Sequence, residues 1–167
     1  MLPEAKIILA FVTVQRLAEL ILSARNTGQL RARGAVEFAP GHYPVMVLLH
    51  AAWLGGLWIV ARDLPANGVL IAFYAALQLL RIWVISALGD RWTTRIIVLP
   101  NTPLIRTGPY RFFNHPNYFV VVAEIALLPL VFGLVEYAVI FSILNAVLLL
   151  WRIRAEDRAL ANREGAV

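Results

Sequence analysis

The residues best suited to chemistry lie in one stretch, Leu104–Tyr118 (LIRTGPYRFFNHPNY), the longest part of the chain that does not read as an apolar helix. It holds a Gly-Pro turn signal, two Tyr, two Arg and a His-Pro pair, and it runs directly into an apolar segment. Glycine and proline together break a helix and favour turn geometry. Because Pro116 disfavours helical geometry in the preceding residue, the pattern predicts His115 or Asn114 as the N-cap and Pro116 as the first helical residue.

This arrangement gathers polar groups at the start of a helix. Free backbone N–H groups and the helix dipole favour an anionic ligand at such a position. The alternative is an ordinary loop that re-enters the membrane with interfacial tyrosines and arginines. Residue types alone leave both interpretations open.

Several ionisable residues interrupt the apolar segments. Arg16 and Glu19 are three apart on one helix and can pair. Glu124 lies nearly two turns into an apolar segment, where a carboxylate needs a partner or a watery cavity. Arg81 is one possible partner, although its long side chain could also extend towards the lipid headgroups. A structural ion pair and a role in a site therefore both stay open for Glu124.

The segment that begins at Arg152 continues the last apolar stretch as a charged helix. Arg152 and Glu156 are four apart and share a face. They fit either a solvated, charge-paired helix end or the wall of a polar pocket. His42 and His50 have no Asp, Glu or His at metal-ligand spacing, and we interpret both as incidental. No metal site is expected, and the absence of cysteine excludes thiolate chemistry.

The composition indicates that these residues are held by membrane-embedded segments. Hydrophobic residues make up 60% of the chain and the mean hydropathy is +0.73, above the roughly 45–50% apolar content of soluble domains. The 167 residues fit one membrane-embedded domain, 1–167. The formal charge of +5 comes from 15 basic residues, of which Lys6 is the one lysine. Nucleic-acid modules are polar throughout, so nucleic acid is not an expected partner.

The predicted fold class is an all-α integral membrane protein with about five transmembrane helices. The predicted spans are Pro3–Ser23, Tyr43–Ala61, Gly68–Leu88, Tyr118–Leu134 and Tyr137–Trp151. The last two form a tight hairpin, because only Val135-Glu136 separates them.

Arginine placement predicts the orientation of these spans. The segments after spans one, three and five carry most of the arginines: Arg25, Arg31 and Arg33, then Arg91, Arg95, Arg106 and Arg111, then Arg152, Arg154, Arg158 and Arg163. By the positive-inside rule these segments are cytoplasmic and the N-terminus is outside. We therefore expect an integral membrane protein with its N-terminus outside and its C-terminus in the cytoplasm. The Leu104–Tyr118 loop and the charged tail then share the cytoplasmic face, where a cytosolic ligand can bind.

The loop and the tail together resemble the isoprenylcysteine carboxyl methyltransferase family of membrane enzymes that use S-adenosylmethionine. The matching motifs are Leu104-Ile105-x-x-Gly108-Pro109-Tyr110, then His115-Pro116-Asn117-Tyr118, then a helical hairpin, and then Arg152-x-x-x-Glu156-Asp157. The resemblance covers about residues 86–160. Asn114 stands where the family usually has an arginine, and Asp157 replaces a second glutamate.

The resemblance implies an S-adenosylmethionine pocket between the loop and the tail, open to a lipid-facing tunnel. The positions that it assigns to cofactor contact are Arg95, Leu104, Ile105, Tyr110, His115, Pro116, Asn117, Tyr118 and Glu156. It makes Arg152 the substrate-side arginine. The N-terminal half is similar to a small bacterial subgroup, some of whose members methylate hydroxyls of long-chain phenolic lipids or alkylpyrones.

The sequence as a whole predicts a membrane methyltransferase that moves a methyl group to a lipophilic acceptor from the bilayer. For a carboxylate acceptor no base is needed, and Arg152 would orient it. For a phenol of pKa about 10 a base should help, and His115 and Glu124 are the candidates. A non-catalytic lipid-binding or scaffold protein with a degenerate pocket is the alternative. A small transporter fits less well, because we find neither inverted repeats nor broken helices. Membrane lipids are expected partners, and the oligomeric state is not predicted.

Overall fold

The chain forms five α-helices. The computed structural model describes residues 2–100 and 102–164, the last five of these (160–164, which include Arg163) as backbone only. The helices are α1 (Pro3–Ala32), α2 (His42–Val60), α3 (Gly68–Leu88), α4 (Pro116–Val131) and α5 (Val135–Glu164). Helices α1, α2, α3 and α5 are long and apolar enough to cross a membrane, whereas α4 is a shorter apolar helix. The prediction of an all-α integral membrane protein is confirmed.

Helix α1 is longer than the sequence predicted, because it continues from Ser23 to Ala32. The loop after α3 holds this extension. Asn26 donates from its amide to the carbonyl oxygens of Gly89 (3.1 Å) and Trp92 (2.8 Å), and the Ser23 hydroxyl lies 2.7 Å from that of Thr94. These buried polar contacts hold the last turns of α1 against the loop.

Helix α4 begins as predicted. His115 is its N-cap with φ −130° and ψ 58°, and Pro116 is its first residue. Gly108 upstream has φ +57°, and a side chain there would press on Ala87 and Trp83 of α3. Glycine is therefore required where the loop turns back against the end of α3.

The turn between α4 and α5 lies earlier in the chain than the sequence suggested. The prediction placed the break at Val135-Glu136, and this was wrong, because both residues belong to α5. The break lies at 132–134, where Gly133 adopts φ +72° and its N–H donates to the Leu130 carbonyl (2.9 Å). A left-handed glycine of this kind ends a helix and satisfies its last carbonyls.

Two short strands that the sequence did not predict connect distant loops. Strand β1 (Val36–Glu37) pairs antiparallel with β2 (Ile97–Val98), with Val36 opposite Val98. The Phe38 N–H extends the pairing by donating to the Ile96 carbonyl (2.9 Å). This pair fastens the α1–α2 loop to the α3–α4 loop.

The two ends of the bundle differ. At one end, which we call the arginine-rich end, the terminus of α1, the β1–β2 pair, the long α3–α4 loop and the last turns of α5 meet. At the opposite end the Leu2 N–H donates to the Arg62 carbonyl (2.7 Å), and the Asn67 N–H donates to the Val131 carbonyl (2.8 Å). The three arginine-bearing segments therefore lie on one side of the bundle.

Candidate active site

A cavity of about 520 Å³ opens at the arginine-rich end, and we call it the outer cavity. It brings together most of the predicted site residues. Its lining includes Arg95, Leu104, Ile105, Tyr110, His115, Asn117, Tyr118, Arg152 and Glu156. Pro116 is buried at the start of α4 and is not among the lining residues. The loop, the start of α4 and the tail of α5 thus form one site.

Three side chains join α4 to α5 across this cavity. The Tyr118 hydroxyl donates a hydrogen bond to Oε2 of Glu156. The phenolic oxygen of Tyr118 in turn accepts from Nε of Arg152 (2.9 Å). Arg152 and Glu156 therefore do not pair directly as the sequence suggested, but meet through the Tyr118 phenol. Arg152 is buried, and this contact partly compensates its charge.

His115 stacks on Tyr118, with ring centroids 5.2 Å apart and planes at 19°. Its Nε2 lies 3.7 Å from Oδ1 of Asp157. The Asp157 carboxylate is largely exposed, which makes this a weak, solvent-screened contact. His115 therefore stands at the water-facing side of the outer cavity.

The outer cavity also contains polar atoms suited to a polar ligand. Oδ1 of Asn117 is buried, and none of the described residues donates to it. Burial, and then the charge of Glu156, raise the pKa of Tyr110, so its phenol stays protonated and can donate. An acceptor without a donor and a neutral phenol near a carboxylate favour a ligand with both donors and acceptors.

Arg95 is positioned by a residue from a different loop. Its Nη1 donates to Oε1 of Glu37 (2.7 Å), and its guanidinium lies 3.8 Å from the Tyr43 ring centroid. Arg31 binds the other carboxylate oxygen of Glu37. Burial would raise the pKa of Glu37, but the hydrogen bonds and charges of Arg95 and Arg31 outweigh it and lower that pKa. Glu37 thus stays ionised and holds Arg95 at the cavity.

A second cavity of about 270 Å³, the inner cavity, lies deeper in the bundle. Its walls come from all five helices and the α3–α4 loop and are mainly apolar, with Leu17, Leu54 and Val121 among them. Five residues line both cavities and form what we call the shared wall: Trp92, Thr93, Asn117, Tyr118 and Arg152. A ligand in each cavity would meet at these residues.

Four charged residues form a buried network beside the inner cavity. Arg16 donates to Glu19 (2.9 Å) and to Glu124 (2.6 Å). Arg81 binds the same two carboxylates, with Nη2 2.7 Å from Oε2 of Glu19. The predicted Arg16–Glu19 and Arg81–Glu124 pairs are therefore present. The alternative that Arg81 extends to the headgroups was wrong, because its side chain is buried.

Glu124 has no exposed surface and does not line either cavity. Its carboxylate accepts from both arginines and, at 2.9 Å, from the Gln78 amide. Three donors therefore already bind this carboxylate, and neither cavity gives a ligand access to it. The geometry therefore favours the ion-pair interpretation of Glu124 over the role of a base.

Sequence reasoning overlooked three polar residues at these cavities. His50 and Asn145 line the inner cavity, and Glu37 positions Arg95 at the outer one. The sequence indicates His50 as incidental because no Asp, Glu or His lies at metal-ligand spacing from it, yet Arg16, Arg81 and Arg152 line the same cavity. The one available signal was the depth of His50 and Asn145 within apolar helices, where burying a polar side chain costs free energy.

Comparison with known proteins relates this chain to a protein family. A profile of the isoprenylcysteine carboxyl methyltransferase (ICMT) family matches residues 70–162. The chain belongs to this family. Membership in the ICMT family implies methyltransferase activity in a membrane, and the family's methyltransferases use S-adenosylmethionine. The resemblance read from the loop and tail motifs is therefore confirmed, and the match begins within α3.

Two relatives extend the similarity over nearly the whole chain. Uncharacterized protein YpbQ of Bacillus subtilis (strain 168) is 38% identical over 161 residues, which cover 92% of this chain and 95% of the relative. An uncharacterized protein of Haemophilus influenzae is 27% identical over 162 residues, covering 92% of each chain. No solved structure matches the chain with significance.

Proposed function

We propose that this ICMT-family protein transfers the methyl group of S-adenosylmethionine to a hydroxyl on a long-chain apolar acceptor. One observation carries the proposal: an outer cavity with many polar and charged groups adjoins a mainly apolar inner cavity at the shared wall. A polar donor from water and an apolar acceptor from the bilayer can each occupy the cavity that suits its chemistry. Their reacting groups then meet at the shared wall, although one ligand comes from water and the other from the bilayer.

The residues of the outer cavity fit S-adenosylmethionine. Its volume falls within the roughly 300–1,000 Å³ of small-molecule sites. Glu156 and the unsatisfied Oδ1 of Asn117 offer acceptors for an ammonium group or ribose hydroxyls. The start of α4 favours a carboxylate through the helix dipole and the Asn117 N–H, because Pro116 has no N–H and the N–H groups of Tyr118 and Phe119 donate to the His115 carbonyl. Bound there, S-adenosylmethionine supplies a methyl group activated by its sulfonium.

The charges around the inner cavity favour a neutral acceptor group. Arg16 and Arg81 are balanced by Glu19 and Glu124, and Arg152 is coupled to Glu156 through Tyr118. A carboxylate that entered the inner cavity would add a negative charge without a positive partner in a region of low dielectric constant. Burying such a charge costs free energy. A hydroxyl enters without charge, so we favour a hydroxyl acceptor over a carboxylate.

Unpaired polar atoms at the inner cavity support the same choice. Oδ1 of Asn145 is buried, and no described side chain donates to it. Nε of Arg16 is likewise buried without an acceptor. A hydroxyl both donates and accepts, and it can satisfy one group of each kind, whereas a carboxylate only accepts. An apolar tail would then pack on Leu54 and Leu149.

In this proposal Arg152 and Tyr118 act at the point of transfer. Both line the two cavities, and their mutual hydrogen bond fixes their side chains. Arg152 additionally contacts the Met46 sulfur (2.7 Å), which ties α5 to α2. We assign Arg152 the task of directing the acceptor oxygen towards the donor's methyl group. Exclusion of water from the shared wall would strengthen these contacts.

The proposal includes an orientation. The arginine-bearing segments lie together at one end of the bundle, and the positive-inside rule makes that end cytoplasmic in a bacterial inner membrane. The outer cavity then faces the cytosol, the source of S-adenosylmethionine. Reporter fusions after Val167 and in the Arg62–Asn67 loop test this orientation: we expect a cytoplasmic signal from the first and a periplasmic signal from the second. The reverse pair of signals would contradict it.

Methyl transfer by the purified protein tests the proposal itself. The protein in lipid nanodiscs is supplied with methyl-labelled S-adenosylmethionine and one of two matched acceptors, a long-chain phenol and a fatty acid of equal chain length. We expect label in the methyl ether of the phenol. Label only in the fatty-acid ester would contradict the hydroxyl acceptor, and no binding of S-adenosylmethionine would contradict the methyltransferase function.

A further inference from the structure

His50 on α2 presents an unoccupied basic atom to the inner cavity. Its Nδ1 lies 2.8 Å from the Met46 carbonyl oxygen. A carbonyl only accepts, so Nδ1 carries the proton and Nε2 of the neutral ring keeps its lone pair. The ring lines the inner cavity, and within the described part of the chain no donor binds Nε2.

The charged and titratable groups that share this cavity come from four other elements. They are Arg16 and Glu19 on α1, Arg81 on α3, Tyr118 on α4 and Arg152 on α5. Three of the five are arginines, which have no lone pair to accept a proton. The groups of this cavity that could take a hydroxyl proton are therefore Glu19, Tyr118 and the imidazole of His50.

The other candidate bases are occupied or misplaced. Glu19 accepts from Arg16, from Arg81 and from the Gln15 amide (3.1 Å). Glu124 is similarly occupied, and His115 faces the water side of the outer cavity. Among the described residues of the inner cavity, Glu19 and Tyr118 already accept hydrogen bonds, whereas Nε2 of His50 accepts none.

His50 also lies close to the shared wall. Met46, one helical turn earlier on α2, contacts Nη1 of Arg152 through its sulfur. One turn of helix is about 5.4 Å, so a hydroxyl between His50 and the shared wall can reach both. A base must come within hydrogen-bonding distance of the proton that it removes, and this position permits it.

We propose that His50 is the general base for the methylated hydroxyl, an inference that rests on the function proposed above. The acceptor oxygen forms a bond to the methyl carbon, and the carbon–sulfur bond breaks with its electron pair left on sulfur. The hydroxyl proton passes to Nε2 of His50. The positive charge lost from sulfur thus reappears on the imidazolium, and the proton leaves to water when the ether is released.

Acceptors of different acidity provide the test. His50→Phe removes the lone pair and keeps a planar ring, and His50→Gln is a second variant in case the first folds poorly. With an ordinary long-chain phenol we expect turnover about 10²–10⁴-fold lower than wild type. With a nitro-substituted phenol of equal chain length, which is already ionised at the assay pH, turnover should stay near wild type. Equal loss on both phenols, or no loss on the ordinary one, would overturn the role of His50.

Binding provides a readout without turnover. By calorimetry, wild type should prefer the ordinary phenol over its methyl ether by roughly two- to tenfold, the value of one hydrogen bond. His50→Phe should lose this preference and keep the wild-type affinity for S-adenosylmethionine. An unchanged preference in His50→Phe would contradict the inference and leave the methyltransferase function intact. If wild type binds no S-adenosylmethionine, the proposed function fails first, and the inference with it.

Discussion

Nε of Arg152 lies 2.9 Å from the phenolic oxygen of Tyr118, and the same phenol donates to Glu156. This chain of contacts crosses from α5 to α4 and back, where the two cavities adjoin. Because it couples a buried cation to a carboxylate through a neutral group, it holds the shared wall in one arrangement. A substitution of Arg152, Tyr118 or Glu156 should therefore change the shape of both cavities, although not equally.

Glu156→Gln should weaken S-adenosylmethionine binding at least roughly tenfold. The variant removes a charged acceptor, and a hydrogen bond to a charged group contributes about 1.5–3 kcal/mol. Calorimetry on detergent-solubilised protein measures the affinity. Asp90→Asn is the matched control, because it neutralises a largely exposed carboxylate at the same end of the bundle that does not line the outer cavity. Equal losses in both variants would show a general effect of charge and remove Glu156 from the pocket.

Breaking the buried charge network should lower stability rather than catalysis. Glu124→Gln and Arg81→Met each leave buried charges without a partner, which costs about 3–5 kcal/mol. Arg33→Met is the control, because Arg33 pairs with Asp90 at the surface and contributes only about 0–1 kcal/mol. Thermal unfolding and turnover are measured on the same samples. A Glu124→Gln protein that unfolds like wild type but turns over far more slowly would restore Glu124 as a base.

Much of the fold was predictable because apolar runs and proline have local effects. The start of α4 at Pro116 follows from backbone geometry in two residues. The extension of α1 to Ala32 was not predictable, since it depends on Asn26 binding carbonyls more than sixty residues away. The β1–β2 pair was not predictable either, because a strand of two residues is too short to show an alternating pattern.

The site was predictable where a motif carried it. The loop and tail motifs named nearly all of the predicted residues that line the outer cavity. Glu37 and His50 lie outside the matched region, and their importance arises from contacts that only the fold creates. The base predicted at Glu124 came from depth alone, and depth does not distinguish a site from an ion pair.

The Glu37 contacts predict a pH-dependent stability. A lowered folded-state pKa means that Glu37 stabilises the fold above its unfolded-state pKa of about 4.3, and that the contribution disappears as pH falls through the folded-state value. Glu37→Gln should therefore melt below wild type near neutral pH, by a few degrees for a loss of about 1 kcal/mol. The two melting temperatures should converge in acid. A constant difference down to about pH 3 would show that the carboxylate charge is not the cause.

Packing of α2 against α5 predicts a large effect from one added methyl group. A Cβ at Gly56 would overlap the Tyr137 hydroxyl, which donates to the Trp53 carbonyl (2.7 Å). Gly56→Ala should therefore cost about 1–3 kcal/mol, and less when it is combined with Tyr137→Phe. Gly55→Ala is the control, since nothing lies near its Cβ position, and it should be neutral or slightly stabilising. Equal effects of the two alanines would contradict this packing.

The division of labour between the two cavities can be measured directly, because the chain contains no cysteine. Val121→Cys places a thiol in the inner cavity, and Thr102→Cys places one in the outer cavity. Each is labelled with a bulky apolar thiosulfonate, with Ile7→Cys on the exposed face of α1 as control. Labelled Val121→Cys should lose phenol methylation and keep its affinity for S-adenosylmethionine, whereas labelled Thr102→Cys should lose that affinity by at least about tenfold. Wild-type methylation after complete labelling of Val121→Cys, or unchanged affinity after labelling of Thr102→Cys, would contradict the account.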